Sequence, residues 1–342
     1  MGSVPTVRET NPEAFRLYLQ GSHLAAQQQD SSNNALAESL FRQALALDSQ
    51  YMPAWRELNR VLAQEIGSRD SVIEDIANAR SALDRALEIE PNDAASLAYR
   101  AYEIMRYDGN YVQAAREFER AIRIDPTNEN VLRSAAMFTI AFAQVEDAVA
   151  FSRHTVEHNP LCFFCQGHLY NAQLLAGNFT EAETVARTML SLFGGTSSRI
   201  GEVLLQTSQP EAAINVFEKL ESEAERLFWT ALAYYDMDQT NEFEEAATAY
   251  LDLIGRRPWN IARLYAYTNQ IDAAFDAIGK AEEETLITVD GAEIQWNYYT
   301  FAGNARGYFL QNLHQDPRWN ALLEKNNVSE DQLAGIEFNP RF

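Results

Sequence analysis

The sequence contains no long apolar run and little proline or glycine. Its 342 residues include only 10 prolines and 15 glycines, which excludes collagen-like and linker-dominated architectures. No stretch of about 18 apolar residues occurs, so we expect no direct membrane insertion by this chain. The amino-terminal residues also do not show a charged segment followed by an apolar one, so no secretory signal is predicted.

Basic residues are also scarce. The chain has 27 lysines and arginines against 49 aspartates and glutamates, for a net charge of −22. Nucleic-acid binding depends on a basic surface, so no nucleic-acid partner is predicted. An anionic membrane surface is disfavoured for the same reason. The simplest interpretation of this charge is that it keeps a large exposed surface soluble.

A helical pattern recurs along the chain at a nearly constant interval. In the stretch YVQAAREFERAIRIDP, four apolar residues fall at offsets of zero, four, seven and eight, which is one face of an α-helix. The same offsets occur in three places, at Ala37, Phe41, Ala44 and Leu45, at Ala79, Leu83, Ala86 and Leu87, and at Ala114, Phe118, Ala121 and Ile122. The turn prolines Pro91, Pro126 and Pro160 lie 35 and 34 residues apart. A period of this length indicates stacked helix-turn-helix units.

This period resembles that of the tetratricopeptide repeat family. The resemblance implies an all-α fold, a right-handed α-α superhelix of about seven or eight helix pairs with a C-terminal capping segment. We predict a tail or cloning remnant at 1–10, five regular repeats at 11–193, and shorter repeats six to eight at 194–284. An aromatic cap and tail should follow at 285–342. Six aromatic residues are predicted to cover the last exposed core, namely Trp296, Tyr298, Tyr299, Phe301, Tyr308 and Phe309.

The two ends of the array carry a second resemblance. The opening NPEAFRLYLQG and the closing DPRWNALLEK are similar to the C-terminal repeat region of bacterial multidomain regulators. In those proteins the repeats follow an adenylate cyclase, winged-helix or kinase domain, none of which this chain contains. The resemblance therefore implies a regulatory piece of a larger bacterial protein. Such a piece is expected in the cytoplasm, or in the periplasm if the parent protein has a membrane anchor.

The first helix of each repeat should line a concave groove. Alignment on the repeat assigns eight residues to that groove: Tyr18, Arg56, Arg60, Tyr102, Arg106, Arg133, Met137 and Asn171. Arginine forks suit carboxylates, and tyrosines provide rigid contact area with a polar tip. We therefore predict that the groove binds a protein or an acidic peptide. The alternative is that these arginines only neutralise acidic neighbours within the array.

One cluster has the residue types of a metal site. His154, His158, Cys162, Cys165 and His168 could in principle surround zinc. Each of them also fits an ordinary repeat position, with the histidines near a helix end and the cysteines in the core. A redox-active pair is not favoured, because the βαβ context of a thioredoxin-like Cys-x-x-Cys is missing. The sequence therefore predicts no metal.

No catalytic pattern was found. There is no glycine-rich phosphate loop after a strand, no nucleophile elbow and no His-Glu-x-x-His helix. The sequence predicts a non-catalytic interaction or regulatory module with no catalytic residue and no cofactor. Two alternatives stay open, a sensor for a small anionic ligand and a self-association module that forms a homodimer of attached output domains.

Overall fold

The computed structural model describes residues 10–26, 31–66, 72–142, 144–195, 197–255, 257–284, 286–289, 292–295, 307–336 and 338. Sixteen helices come first: α1 Pro12–Ala26, α2 Ser31–Leu47, α3 Met52–Gln64, α4 Val72–Ile89, α5 Ala94–Glu103, α6 Tyr111–Ile124, α7 Glu129–Ala141, α8 Val145–His158, α9 Phe163–Leu175, α10 Phe179–Phe193, α11 Ser198–Gln206, α12 Pro210–Phe217, α13 Glu223–Asp236, α14 Thr240–Ile254, α15 Pro258–Tyr267 and α16 Ile271–Glu284. A π-helical turn, Ile104–Asp108, extends α5. Strands β1 Leu286–Val289 and β2 Ala292–Gln295, a 3₁₀ helix Tyr308–Leu313, α17 Pro317–Lys325 and α18 Glu330–Leu333 follow.

Consecutive helices pack as eight pairs, from α1 with α2 to α15 with α16. The first helices of neighbouring pairs also touch, as α5 does with α7 and α7 with α9. The predicted α-α superhelix of seven or eight pairs is therefore confirmed. Among the helices described, none is both long and apolar enough to cross a bilayer.

Helix α6 shows how the repeat pattern produces one helix of a pair. The Asn110 side chain accepts a hydrogen bond from the backbone N–H of Gln113 at 3.1 Å, which caps the helix start. The predicted apolar face is buried, with Phe118 fully enclosed, and burial of a phenylalanine side chain stabilises the fold by about 1.5–3 kcal/mol. The helix ends at Ile124, two residues before Pro126.

Small residues set the distance between paired helices. A Cβ atom at Gly21 would lie 2.8 Å from the Phe41 ring, and one at Gly201 would lie 2.2 Å from the Phe217 ring. The Phe217 ring is itself stacked on Trp229, with ring centroids 5.3 Å apart. These glycines therefore allow an aromatic side chain of the second helix to lie directly against the backbone of the first.

The C-terminal region differs from the predicted cap in two respects. First, β1 and β2 form an antiparallel hairpin, with Leu286 opposite Gln295 and Val289 opposite Ala292. Second, the 3₁₀ helix lies along the first helices of the last three pairs and does not simply cover the end of the stack. Phe309 packs against Phe228, and the Tyr308 hydroxyl donates to Glu202 at 2.9 Å. The predicted cap residues at 296–301 lie outside the described residues.

The last segment returns from the eighth pair to the middle of the array. At α16 the buried carboxylate of Glu282 accepts hydrogen bonds from Lys325 at 2.6 Å and from Asn326 at 2.7 Å. Further on, Phe338 packs against Phe138 and Phe151 of the fourth pair, with ring centroids 5.1 and 5.9 Å away. The C-terminal segment therefore joins repeats that are far apart in sequence, a contact that nearest-neighbour stacking does not supply.

Replacing Gly201 with alanine should destabilise the chain by about 1–3 kcal/mol, because the new methyl group meets a ring that cannot move away. Gly279→Ala is the matched control, since it also lies within a helix but its Cβ would meet no atom within 4 Å. That change should be neutral or stabilising by up to about 1 kcal/mol through helix propensity. Urea unfolding followed by circular dichroism measures both variants, and equal stability of the two would contradict the packing described here.

Candidate functional site

The first helices of the first five pairs enclose two adjoining cavities. The wide cavity has a volume of about 720 Å³ and is lined by residues of α1, α3, α5, α7 and the α8–α9 connection with the start of α9. The narrow cavity has a volume of about 210 Å³ and lies between α3, α5 and α7. Arg60, Tyr99 and Arg133 line both of them. We call this continuous surface the groove.

The structure brings six of the eight predicted groove residues to these cavities. Tyr18 lines the wide cavity, Arg60 and Arg133 line both, and the narrow cavity contains Tyr102, Arg106 and Met137. The other two residues line neither cavity. Arg56 donates to Asp93 at 3.1 Å, and Asn171 is exposed on α9. Their role as binding residues stays a prediction for all eight.

The arginines of the groove differ in how far their charge is neutralised. Arg60 donates through Nε to the Glu57 carboxylate at 2.8 Å, and Arg56 is paired with Asp93. Arg133 instead hydrogen-bonds the side-chain oxygen of Asn130 at 3.4 Å, and the described part of the chain contains no carboxylate within ion-pair distance of it. Intramolecular neutralisation therefore accounts for Arg56 and Arg60 but not for Arg133.

Tyr99 lies at the centre of this charge. Its side chain is buried, and its hydroxyl forms no hydrogen bond with a described residue. Burial raises the pKa of Tyr99, as does Glu57, while the positive charges of Arg133, Arg60 and Arg56 lower it. The hydroxyl is therefore a neutral, buried donor among three arginines, on a residue that lines both cavities.

A second unpaired polar group lies close to Arg133. The Nδ1 atom of His168 on α9 is buried and forms no hydrogen bond within the described residues. Burial and the charge of Arg133 lower the pKa of His168 to about 4. The imidazole is therefore neutral at physiological pH and adds no positive charge to the groove.

The narrow cavity also contains a buried acid. Glu103 is 2% exposed and accepts a hydrogen bond from the Asn59 side chain at 2.6 Å. Burial raises the pKa of Glu103 to about 7, although the Asn59 hydrogen bond acts in the opposite direction. The carboxyl group therefore holds its proton to a higher pH than an exposed glutamate does.

The five residues that had the types of a metal site do not form a set of zinc ligands. Cys162 and Cys165 form a disulfide with an S–S distance of 2.00 Å, so neither sulfur is available as a thiolate ligand. His154 and His158 pack edge-to-face on each other at a centroid distance of 4.2 Å. Among the described residues, the one group whose ligand atoms lie close enough for a metal is Glu129 with the two bonded cysteines.

Several groove residues escaped the alignment on the repeat. Tyr99 precedes Tyr102 by one helical turn, and this spacing was a signal that could have identified it. Leu161, Phe163 and Phe164 are exposed at the edge of the wide cavity, at 69%, 43% and 46%. Leu161 belongs to the connection between α8 and α9, and Phe163 and Phe164 are the first two residues of α9. The alignment on the repeat did not select them because they precede the groove-lining positions of the first helix.

Known structures share this arrangement of stacked helix pairs with a groove on the first helices. The chain adopts the tetratricopeptide-repeat fold. Solved structures with this overall arrangement include the human IFIT1 dimer with m7Gppp-AAAA, with a TM-score of 0.52 and 12% identity over 79% of this chain and 71% of that one. A monomeric IFIT1 mutant with m7Gppp-AAAA gives a TM-score of 0.53 at 11% identity, with the same shares covered.

A tetratricopeptide repeat protein from Parabacteroides merdae also matches, with a TM-score of 0.48 and 12% identity over 75% of this chain and 99% of that one. No family model matches the chain, and no curated protein does. At these identities the comparisons establish the tetratricopeptide-repeat fold and nothing about the ligand. The resemblance to the repeat region of bacterial regulators stays a prediction.

Glu103→Gln should stabilise the chain at pH 8 by about 1–3 kcal/mol and have little effect at pH 4. The pKa of Glu103 is higher in the folded chain than in the unfolded one, so ionisation of the carboxyl group opposes folding. This cost is absent below the unfolded pKa near 4.5 and is fully present above the folded pKa near 7.

The measurement is urea unfolding of wild type and variant across this pH range. Glu244→Gln is the control, because Glu244 is exposed on α14, and its effect should stay within about 0.5 kcal/mol at every pH. A stability difference between Glu103→Gln and wild type that does not change with pH would show that the carboxyl group ionises normally in the folded chain.

Proposed function

We propose that this chain is a non-catalytic interaction module that binds an acidic segment of a protein partner in the groove. The observation that carries the proposal is the presence of two donor groups on the same cavities, the Arg133 guanidinium without a described carboxylate partner and the Tyr99 hydroxyl without a described hydrogen-bond partner. Both line the same two cavities. A carboxylate placed between them would accept hydrogen bonds from both groups.

The edge of the groove supports a second element of recognition. Leu161, Phe163 and Phe164 expose apolar surface beside the wide cavity. The Phe163 ring also packs edge-to-face on Phe193 at 5.2 Å, which restricts its orientation. A rigid aromatic surface next to a charged group is typical of residues that dominate binding energy. We therefore expect the bound segment to place a large apolar side chain near its carboxylate.

The fold and the charge of the groove are consistent with a peptide and oppose an RNA ligand. Glu57 and Glu129 line the wide cavity together with Arg60 and Arg133, so its charge is mixed. The whole chain has a net charge of −22, which repels a phosphate backbone. The IFIT1 structures were solved with m7Gppp-AAAA, and we expect no such ligand for this chain.

The wider setting of the module is also part of the proposal. The NPEAFRLYLQG and DPRWNALLEK motifs favour a regulatory piece of a larger bacterial protein, in which the groove recruits a partner to an attached output domain. A preformed groove on packed helices needs little ordering when the partner binds. A homodimer remains the second candidate, supported by the apolar surface of Leu161, Phe163 and Phe164.

Arg133→Ala should weaken binding of an acidic peptide about tenfold to hundredfold, which is the usual loss for a hydrogen bond to a charged group. The peptides are selected by screening a random peptide display library on the immobilised chain, and affinities are measured by fluorescence polarisation. Arg116→Ala is the matched control, because Arg116 is exposed on α6 away from both cavities and should leave affinity unchanged. Selected peptides should be enriched in aspartate and glutamate.

Two further measurements separate the alternatives. Light scattering over a range of concentrations reports a homodimer directly. A stable dimer that still forms with Arg133→Ala would favour self-association as the function. A capped RNA oligonucleotide is added as a competitor. Peptide binding that is blocked by this RNA, or a selection without acidic enrichment, would contradict the proposed specificity.

A further inference from the structure

The Cys162–Cys165 disulfide lies at the edge of the groove and not in the interior of a repeat. Cys162 lines the wide cavity and is half-buried, whereas Cys165 is 0% exposed. One sulfur of the bond can therefore be approached by a molecule in the groove, and the other cannot. A disulfide that only stabilises a fold does not require one accessible and one buried sulfur.

The accessible sulfur lies at the N-terminus of a helix. Cys162 is the N-cap residue of α9, a helix of 13 residues, and its Sγ accepts a hydrogen bond from the backbone N–H of Cys165 at 3.2 Å. Helix N-termini carry partial positive charge and favour a thiolate over a thiol. The helix N-terminus therefore lowers the cost of releasing a thiolate at Cys162, whereas the nearby carboxylate of Glu129 acts in the opposite direction.

A carboxylate lies beside both sulfurs. An oxygen of Glu129 and the two Sγ atoms all lie within 4.8 Å of one another. The Glu129 carboxylate is itself held by the Asn159 side chain at 3.0 Å and lines the wide cavity. It can exchange a proton with the buried Cys165 thiol, a group that solvent does not reach.

We propose that Cys162 and Cys165 form a thiol–disulfide exchange site that oxidises a pair of thiols on a polypeptide partner. That the partner is held in the groove rests on the proposed function, whereas exchange with a small thiol does not. The site is outside the βαβ context in which such pairs are usually sought, so the sequence pattern alone did not identify it.

The exchange proceeds in two steps. A partner thiolate attacks Cys162 Sγ, the bond between Cys162 and Cys165 breaks, and the electron pair leaves on Cys165 Sγ, which takes up a proton through Glu129. A second partner thiolate then attacks the partner's own sulfur in the mixed disulfide and releases Cys162 as a thiolate. The partner loses two electrons and two protons and gains a disulfide, and this chain gains two electrons and becomes a dithiol.

The first test is differential alkylation of the reduced full-length chain with iodoacetamide at pH 7, with the products assigned by peptide mass mapping. Cys162 should react about tenfold faster than Cys165, because it is accessible and favours the thiolate form. The folded state is checked by circular dichroism before and after reduction. Equal rates for the two cysteines in the folded chain would overturn the proposal.

The second test traps the intermediate. Reduced Cys165→Ser is mixed with oxidised glutathione and should accumulate a mixed disulfide at Cys162, because the residue that would resolve it is gone. Cys162→Ser, treated in the same way, should remain unmodified at the buried Cys165. A wild-type disulfide that a glutathione buffer leaves intact, or a Cys165→Ser chain that folds but forms no adduct, would show that the bond is only a structural link.

The two proposals fail separately. If glutathione exchanges at Cys162 but no acidic peptide binds, the result supports the exchange site and contradicts the proposed specificity of the groove. If peptides bind with the expected dependence on Arg133 but Cys162 is unreactive, the result supports peptide binding in the groove and contradicts the exchange site.

Discussion

Close contact between the two helices of each pair is the interaction on which the rest of this structure depends. It requires residues with little or no side chain on one helix opposite an aromatic or branched residue on the other, as with Gly21 and Phe41 or Gly201 and Phe217. No pair can bury its apolar face alone, so each pair is stable only when stacked on its neighbours. The groove exists because this stacking places the first helices side by side along one surface. The side chains of the groove are positioned by the same helix–helix contacts that form the core.

The C-terminal segment covers part of that surface in the second half of the chain. Along the last three pairs the 3₁₀ helix covers the first helices, with Tyr308 hydrogen-bonded to Glu202 and Phe309 packed on Phe228. Burial raises the pKa of Glu202, and the Tyr170 and Tyr308 hydroxyls donate to its two oxygens. This network attaches the chain's own end to its second half. The groove lies on the first five pairs, and none of the residues that line its two cavities belongs to this segment.

The sequence predicted local features better than distant ones, for a physical reason. Periodicity of apolar residues located α6 and its end before Pro126, and the repeat register brought Arg60, Arg106 and Arg133 to one surface. The position of a residue within the repeat predicts the helix face on which it lies but not the contacts of a long side chain. Arg56 was therefore predicted to be a groove residue, although it pairs with Asp93.

Contacts such as that of Phe338 with Phe138 follow no period, because the two residues are 200 positions apart. The disulfide could not be predicted from the sequence either, since a Cys-x-x-Cys spacing fits a bonded pair, a metal site or two core residues equally well.

Two buried polar atoms without a described partner, one on a groove residue and one on a residue close to Arg133, bear on the composition of the groove. A buried hydroxyl or ring nitrogen without a partner costs about 1–3 kcal/mol, and both the Tyr99 hydroxyl and His168 Nδ1 have none among the described residues. An apolar residue at either position would avoid this cost. Such costs concentrate at functional sites, where a ligand supplies the missing partner. The Arg133 guanidinium fits the same pattern, because an acidic chain with many carboxylates places none of the described ones against it. The proposed function rests on these groups, because a carboxylate is the simplest group that would accept hydrogen bonds from both Arg133 and Tyr99.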